Sequence, residues 1–423
     1  MSEELLHHIW KFLLFDTENI MLESGEELKI VNVGLHNTDA GPDFFNARIK
    51  IGNTLWAGNV EIHTNASDWH KHQHQQNKAY DNIVLHVVFN VDDLIKRNNG
   101  EALPTLSLRD KINSKYLTNY SYLKTSTSWI PCEKRFSETD VFVLNNWLDR
   151  LMIERLEQKS EMITRYLKLN HNDWEETFYQ FLARNFGFKI NADAFELLAK
   201  SLPNGILAKH KNNLFQIEAL LFGQAGMLEK NFSDDYPQQL QKEYLFLKKK
   251  FKLKNIEPHL WKMLRLRPVN FPTVRLAQFA RLINVSSHLF SKIMEIEKVE
   301  DAFQLLRVSA SDYWNTHFDF ETKSRNQLKK LGKTAVENII INTLIPFLFV
   351  YGKQKNEEKY IDRALVFLQK IRPEKNKITE AWKNIGMKIE NAFTSQAAIQ
   401  LKNEYCAHKK CLDCAIGNYL LKK

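Results

Sequence analysis

Residues 39–63 read DAGPDFFNARIKIGNTLWAGNVEIH, and their periodicity decides the fold of the N-terminal part. Ala47, Ile49 and Ile51 alternate with Arg48 and Lys50, Gly52-Asn53 supplies a turn, and residues 55–63 resume as a strand with Val60 and Ile62 on one face. The reading is a hairpin. Side chains alternate across a strand, so Glu61 and His63 project together from the other face, while Asp43 follows Pro42 at the mouth of the first strand. Pairing of the two strands then brings Asp43 near Glu61. Two carboxylates converging on one point suit a hard divalent cation, magnesium or manganese, which takes oxygen ligands. Such an ion activates water and stabilises charge on a phosphoryl group.

Outward from the hairpin, residues 4–15 (ELLHHIWKFLLF) have helical spacing and residues 28–33 (LKIVNV) read as a strand. Ser67 or Asp68 can cap a polar helix over residues 69–80, and the nearly continuous apolar run 83–89 (IVLHVVF) suits a doubly covered central strand. The order is helix, strand, strand, strand, helix, strand. From about residue 137 the pattern turns helical, with stripes at 143–166, 172–186, 192–202, 214–228, 274–282, 335–351 and 360–371. No repeat length emerges, which argues against a solenoid. The expected class is α+β: a small α/β domain over residues 1–125, a helical basic domain over 126–400, and a cysteine-rich tail over 401–423. The polar segment 118–138, with Pro131, reads as the linker.

A chain of 423 residues is long enough for two or three domains, and 14 Gly with 10 Pro are too few for a linker-rich or collagenous protein. The apolar run 339–351 falls short of the roughly 20 residues that span a bilayer, and reads as a buried helix. Acidic residues at the N-terminus and no small-residue cleavage site make a cytoplasmic protein the expectation, with no membrane partner. The net charge of +9 is uneven: residues 241–267 hold nine Lys/Arg against two Glu, and residues 323–333 hold five with no acid. Clustered positive charge suits a polyanion, nucleic acid first, although Lys-rich helix faces are as often simply solvated. Arg265, Arg267 and Arg275 are the candidate phosphate contacts. The same stretch, RPVNFPTVRLAQFA, reads equally as a bend between helices fixed by Pro268 and Pro272.

Pro42-Asp43 followed by Glu61-Ile62-His63, in this order of elements, resembles the PD-(D/E)xK restriction-endonuclease-like nuclease superfamily over residues 4–91. The resemblance implies a metal-dependent nuclease in which Asp43 and Glu61 hold magnesium or manganese. The family's Lys position is His63 here. A largely neutral imidazole supplies no fixed charge, but it can act as general base or metal ligand; Lys71 or Lys78 would then have to provide the cation. Gln76 and Tyr80 resemble the Gln-x-x-x-Tyr motif of the RecB-like branch, which would place them on one helix face as further catalytic-site residues. Loss of the Lys also leaves open a non-catalytic nucleic-acid-binding or scaffold protein descended from a nuclease. End to end, through GPDF, EIH, SDW, RPVNFPTVRLAQFA and CLDCAIGN, the chain resembles an uncharacterised bacterial family known only as a domain of unknown function.

Five histidines, His63, His70, His72, His74 and His86, fall within 24 residues. His70 and His74, four apart, with Asp68 or Glu61 make a competing zinc site; Lys71 after His70 excludes the zinc-protease signature, which needs Glu there. His72 and His74 otherwise read as a polar helix face, and His86 as a core histidine. The tail YCAHKKCLDCAIGNYLL sets Cys406, Cys411 and Cys414 in C-x4-C-x2-C spacing. With the distant Cys132 they satisfy a four-ligand demand for zinc or an iron–sulfur centre, His408 being a possible substitute ligand. The RecB-like resemblance bears on this, since some members carry an iron–sulfur cluster on one upstream and three C-terminal cysteines.

Overall fold

The computed structural model describes residues 1–286 and 288–423. The hairpin forms as read: β3 (Phe44–Ile51) pairs antiparallel with β4 (Thr54–Asn65), joined at Gly52 with φ +52°. β1 (Leu28–Asn32) and the short β2 (Leu35–His36) line the far edge of β3, and the register Ile30↔Ile49 keeps the apolar side chains on one face. Beyond β4 the sheet turns parallel, through β5 (Ile83–Asn90) and β6 (Thr105–Ser107), giving the order β1-β3-β4-β5-β6 with β2 beside β3. Residues 83–88 are buried throughout, as a strand covered on both faces requires. Gly58 lets β4 and β5 close up, since a Cβ there would lie 2.4 Å from Val84 Cγ1.

One helix was expected between β4 and β5, and the chain does something else. After α2 (Asp68–Lys71), Gln73 takes a left-handed conformation with φ 59°, and two 3-10 turns follow, His74–Gln76 and Lys78–Tyr80. This polar stretch has no apolar stripe to hold a helix against the sheet, so local side-chain caps win; Asn77 accepts from Ala79 N. Trp69 anchors it, packed in a cluster with Ala66, Ile83, Val88, Ile95 and Leu103, and Tyr80 packs against that cluster.

The chain divides into two units. Met1–Trp147 with Lys402–Lys423 make the first, Leu148–Leu401 the second. The stretch read as a linker is structured and belongs to the first unit. Asn113 caps α3 (Ser114–Thr125), and the terminal helix Ala415–Lys422 docks through Asn119 Nδ2, which donates to the carbonyls of Leu420 and Leu421 at 3.2 Å. Arg135 ties the following 3-10 segment Glu133–Glu138 to Asn119 Oδ1 at 2.8 Å.

The second unit is helical apart from a two-stranded ribbon, His317–Asp319 with Thr322–Lys323, which the helical reading did not foresee. Its core is aromatic, with Phe178, Phe181 and Phe290 around Phe347. The apolar run lies in a helix of 23 residues, Lys333–Lys355, longer than its apolar part suggested and with a π segment at Ile340–Leu344. That helix is long and apolar enough to cross a membrane, but 83% of its apolar window is buried inside the protein.

Candidate metal centre

Asp43 and Glu61 meet at the start of the β3–β4 pair. Asn46, left-handed at φ 56°, makes a bulge that shifts the register between Phe44 and Ala47 and turns the chain so that Phe44 pairs with Val60. Asp43 N then donates to Glu61 Oε2 at 3.2 Å, and Ile62 N donates to Asp43 Oδ2 at 2.8 Å. The two carboxylates are clasped by each other's main chain. His7 of α1 (Glu3–Lys11) adds its Nε2 at 3.2 Å from Asp43 Oδ2.

The other oxygen of Glu61 faces histidines. Glu61 Oε1 lies 3.2 Å from His74 Nε2 and 3.7 Å from His63 Nε2. His63 Nε2 in turn lies 3.2 Å from both His74 Nε2 and His72 Nδ1. Three imidazole nitrogens thus gather around His63 Nε2, and the Glu61 carboxylate oxygen meets two of them, those of His63 and His74. A neutral imidazole has one N–H, and such a set has more lone pairs than protons to share among them. For metal–nitrogen bonds of about 2.0–2.1 Å, the edge of a tetrahedron is about 3.3–3.4 Å, close to the spacings found. Among the described residues, His63, His72 and His74 bring their ligand atoms within 4.8 Å of one another.

The surroundings fix the ligand geometry. His63 Nδ1 is 2.8 Å from His86 Nε2, which leaves His63 Nε2 turned to the cluster; His86 stands opposite Glu61 in the parallel register. This is the outer partner that orients a metal-binding imidazole. Tyr80 stacks on His74, their ring centroids 3.9 Å apart. Burial lowers the His63 pKa to about 2 and that of His86 to about 3, and lowers His74 as well, so these imidazoles are neutral lone-pair donors at pH 7. Burial and then Asp43 raise Glu61. Burial opposes charge on His7, but Asp43 beside it prevails and its pKa is raised. A divalent cation, if bound there, would invert the cost of charge on Glu61.

Several expectations change here. Gln76 and Tyr80 lie on separate 3-10 turns, not on one helix face, and Gln76 is exposed. Tyr80 still reaches the cluster through His74. The zinc set built on His70 fails, because that ring is half-exposed and faces Asp93 at 3.6 Å. Its other member, His74, does meet Glu61. His72 and His7 were missed: the Gln73 turn, not a helical period, brings His72 in, and His7 arrives from a distant helix. The density of histidines around residue 72 was the one signal present. His86 is buried, with Nδ1 lacking a partner. Lys71 is held by Asp68 at 2.5 Å and Lys78 is exposed. A cleft of about 280 Å³ opens beside the cluster, its lining including Trp69, His74, Tyr80, Asp81, Lys96 and Arg97.

The remaining predicted residues fall elsewhere. Arg275 is buried in the second unit, bonded to Asn270 and Gln278 and stacked on Phe188, so it is no phosphate contact. Arg265 and Arg267 are exposed. Cys132, Cys406, Cys411 and Cys414 are all free thiols of the first unit, buried or half-buried. Burial foremost raises them all, Cys411 to about 12 and Cys414 to about 11, and neighbouring cysteines add to the rise at Cys132, Cys406 and Cys411. His408 is exposed.

The fold and site define a mixed α/β protein with an N-terminal curled sheet, a large helical region and a histidine–carboxylate cluster at the sheet, buried at Glu61, His63 and His74 and exposed at His72. The chain belongs to the family described as "Protein of unknown function (DUF2851)", whose pattern matches residues 3–377. No curated protein and no solved structure matches it.

Proposed function

We propose that this protein is a metal-dependent phosphodiesterase acting on nucleic acid, its metal held by Glu61, His63, His72 and His74 beside Asp43. The contacts of His63 with His72, His74 and Glu61, and of His74 with Glu61, at 3.2–3.7 Å, carry the reading. The order of α1, three antiparallel strands, an irregular crossover and a parallel strand supports a restriction-endonuclease-like core, with Pro42-Asp43 and Glu61-Ile62-His63 at the matching places. A divalent cation there supplies Lewis acidity and lowers the pKa of water. The chain's own residues do the rest. His86 orients His63, Tyr80 backs His74, and the main-chain clasp holds Asp43 against Glu61. Lys96 and Arg97 set positive charge on the cleft beside His74, where an anionic phosphodiester would approach.

The test uses full-length protein without a histidine tag. Metal content is measured, then cleavage of single- and double-stranded DNA and RNA with manganese, zinc or magnesium. Glu61→Gln and His74→Ala should each lose bound metal and cleavage while keeping the native circular dichroism spectrum. Nucleic-acid binding without cleavage, across these metals and substrates, would instead favour a non-catalytic binding protein, the reading suggested by His63 standing in the Lys position.

A further inference from the structure

The tail crosses back onto the first unit and is fastened at several points. Lys402 Nζ donates to Trp129 O at 2.6 Å, Lys409 Nζ to Lys124 O at 2.9 Å, and Lys423 Nζ to Glu138 O at 3.0 Å. These contacts bracket Cys132 from both sides. Within the tail, Lys409 N bonds to Cys406 O at 3.2 Å and Cys414 N to Cys411 O at 3.4 Å, so the three thiols sit on successive tight turns. Gly417 permits this: a Cβ there would stand 2.1 Å from Cys411 O, a backbone atom that cannot yield. Cys414 stands at the N-cap position of the terminal helix and is buried. Four reduced cysteines from places about 280 residues apart in sequence thus lie in one another's electrostatic field, without forming a disulfide.

We propose that Cys132, Cys406, Cys411 and Cys414 ligate a single thiolate-bound metal centre, a zinc ion or an iron–sulfur cluster, that locks the C-terminal tail to the first unit. On binding, each sulfur exchanges its proton for a bond to the metal, the four protons pass to solvent, and no cysteine is oxidised. Lys402 and Lys409, anchored on carbonyls of the docking segment, keep positive charge near the resulting thiolates. The centre is independent of the histidine cluster and of the phosphodiesterase reading. Its role is structural: thiolate bonds compensate for burying four thiols where hydrophobic side chains would otherwise pack.

The experiment purifies the full chain anaerobically, without a histidine tag, and measures zinc, iron and acid-labile sulfide together with the visible spectrum. Zinc with no colour identifies the ion; iron and sulfide with a broad visible band identify the cluster; either supports the proposal. Cys132→Ser and Cys411→Ser should each remove that metal, whereas His74→Ala should leave it. Where a serine variant does not fold, the native protein serves: an organomercurial should release the metal in step with modification of four thiols. Thiols that react freely with no loss of metal, a disulfide among the four, or no metal beyond what His74→Ala removes would overturn it.

Discussion

Replacing His86 by leucine separates a metal centre from a buried histidine network. His86 is fully buried in β5, and its Nε2 meets His63 Nδ1 at 2.8 Å. His86→Leu fills much of the same volume and removes only that partner. Left without it, His63 Nδ1 is a buried unsatisfied group, costing about 1–3 kcal/mol of stability. If His63 Nε2 is a ligand, losing its orienting partner also weakens metal binding by about 10- to 100-fold, equivalent to about 1.4–2.7 kcal/mol. Val87→Ala is the control: it is equally buried on the same strand, its side chain points to the opposite face, and its cavity costs stability alone. Competition of zinc or manganese against a chromophoric chelator reads affinity, and thermal unfolding in the presence of chelator reads stability. Both variants should melt earlier and only His86→Leu should lose affinity. If the two lose stability alike and both keep full metal affinity, the cluster is a hydrogen-bonded core and the metal reasoning fails.

Other expectations follow from single contacts. Gly417→Ala puts a methyl against the Cys411 carbonyl and should destabilise the first unit by about 1–3 kcal/mol, read by thermal unfolding and by faster proteolysis of the tail. Arg275→Ala should cost about 1–3 kcal/mol of stability by unpairing Asn270 and Gln278 while leaving the salt dependence of nucleic-acid binding unchanged. Lys96→Ala should do the reverse, reducing the slope of log affinity against log salt by about one. In the second unit, burial and then Arg155 lower Lys159 to about 7, although its ammonium donates to Asn342 Oδ1 at 2.7 Å. Above that value the folded protein has released a proton that the unfolded chain keeps until near 10.5. Stability should therefore rise with pH across this window, by up to about 1.4 kcal/mol per unit. Lys159→Met should flatten the rise, checked by denaturant unfolding at pH 7, 8 and 9.

What could be read from the sequence depended on the range of the interaction. The β3–β4 hairpin was legible because a period of two fixes the faces: Glu61 and His63 lie on one side whatever else folds. β5 was legible because six consecutive buried positions admit few other elements. The crossover was not, because the helix expected there depends on the backbone at Gln73, where no glycine marks the left-handed turn. That turn brings His72 to the cluster, so the helical reading hides His72 while still pairing His74 with Glu61. His7 and His86 join through tertiary packing and carry no spacing signal. The cysteines show the complement: the residue type alone prompts the proposal of a shared centre, while the placement of Cys132 depends on Lys402 and Arg135, which hold the tail to the segment that reads as a linker.

The histidines beside Glu61 bear on which metal the proposed site would take. Two carboxylates alone make a hard oxygen site, where magnesium keeps most of its waters. Here one carboxylate oxygen meets His63 and His74, and His72 meets His63, at spacings near a tetrahedral edge, and imidazole nitrogen favours zinc and other transition ions over magnesium. Asp43, clasped beside the set but spaced by its bond to Ile62 N, is placed to add a fifth ligand or to orient water rather than to complete a magnesium pair. Zinc or manganese should therefore saturate the site at micromolar concentration while millimolar magnesium fails to displace it. Dropping His74 should lower affinity for zinc far more than for magnesium, since the lost donor is nitrogen. Equal sensitivity of the two ions, or magnesium binding that depends on Asp43 and Glu61 but not on the histidines, would return the site to the plain carboxylate pair and reduce the imidazoles to a buried polar network around it.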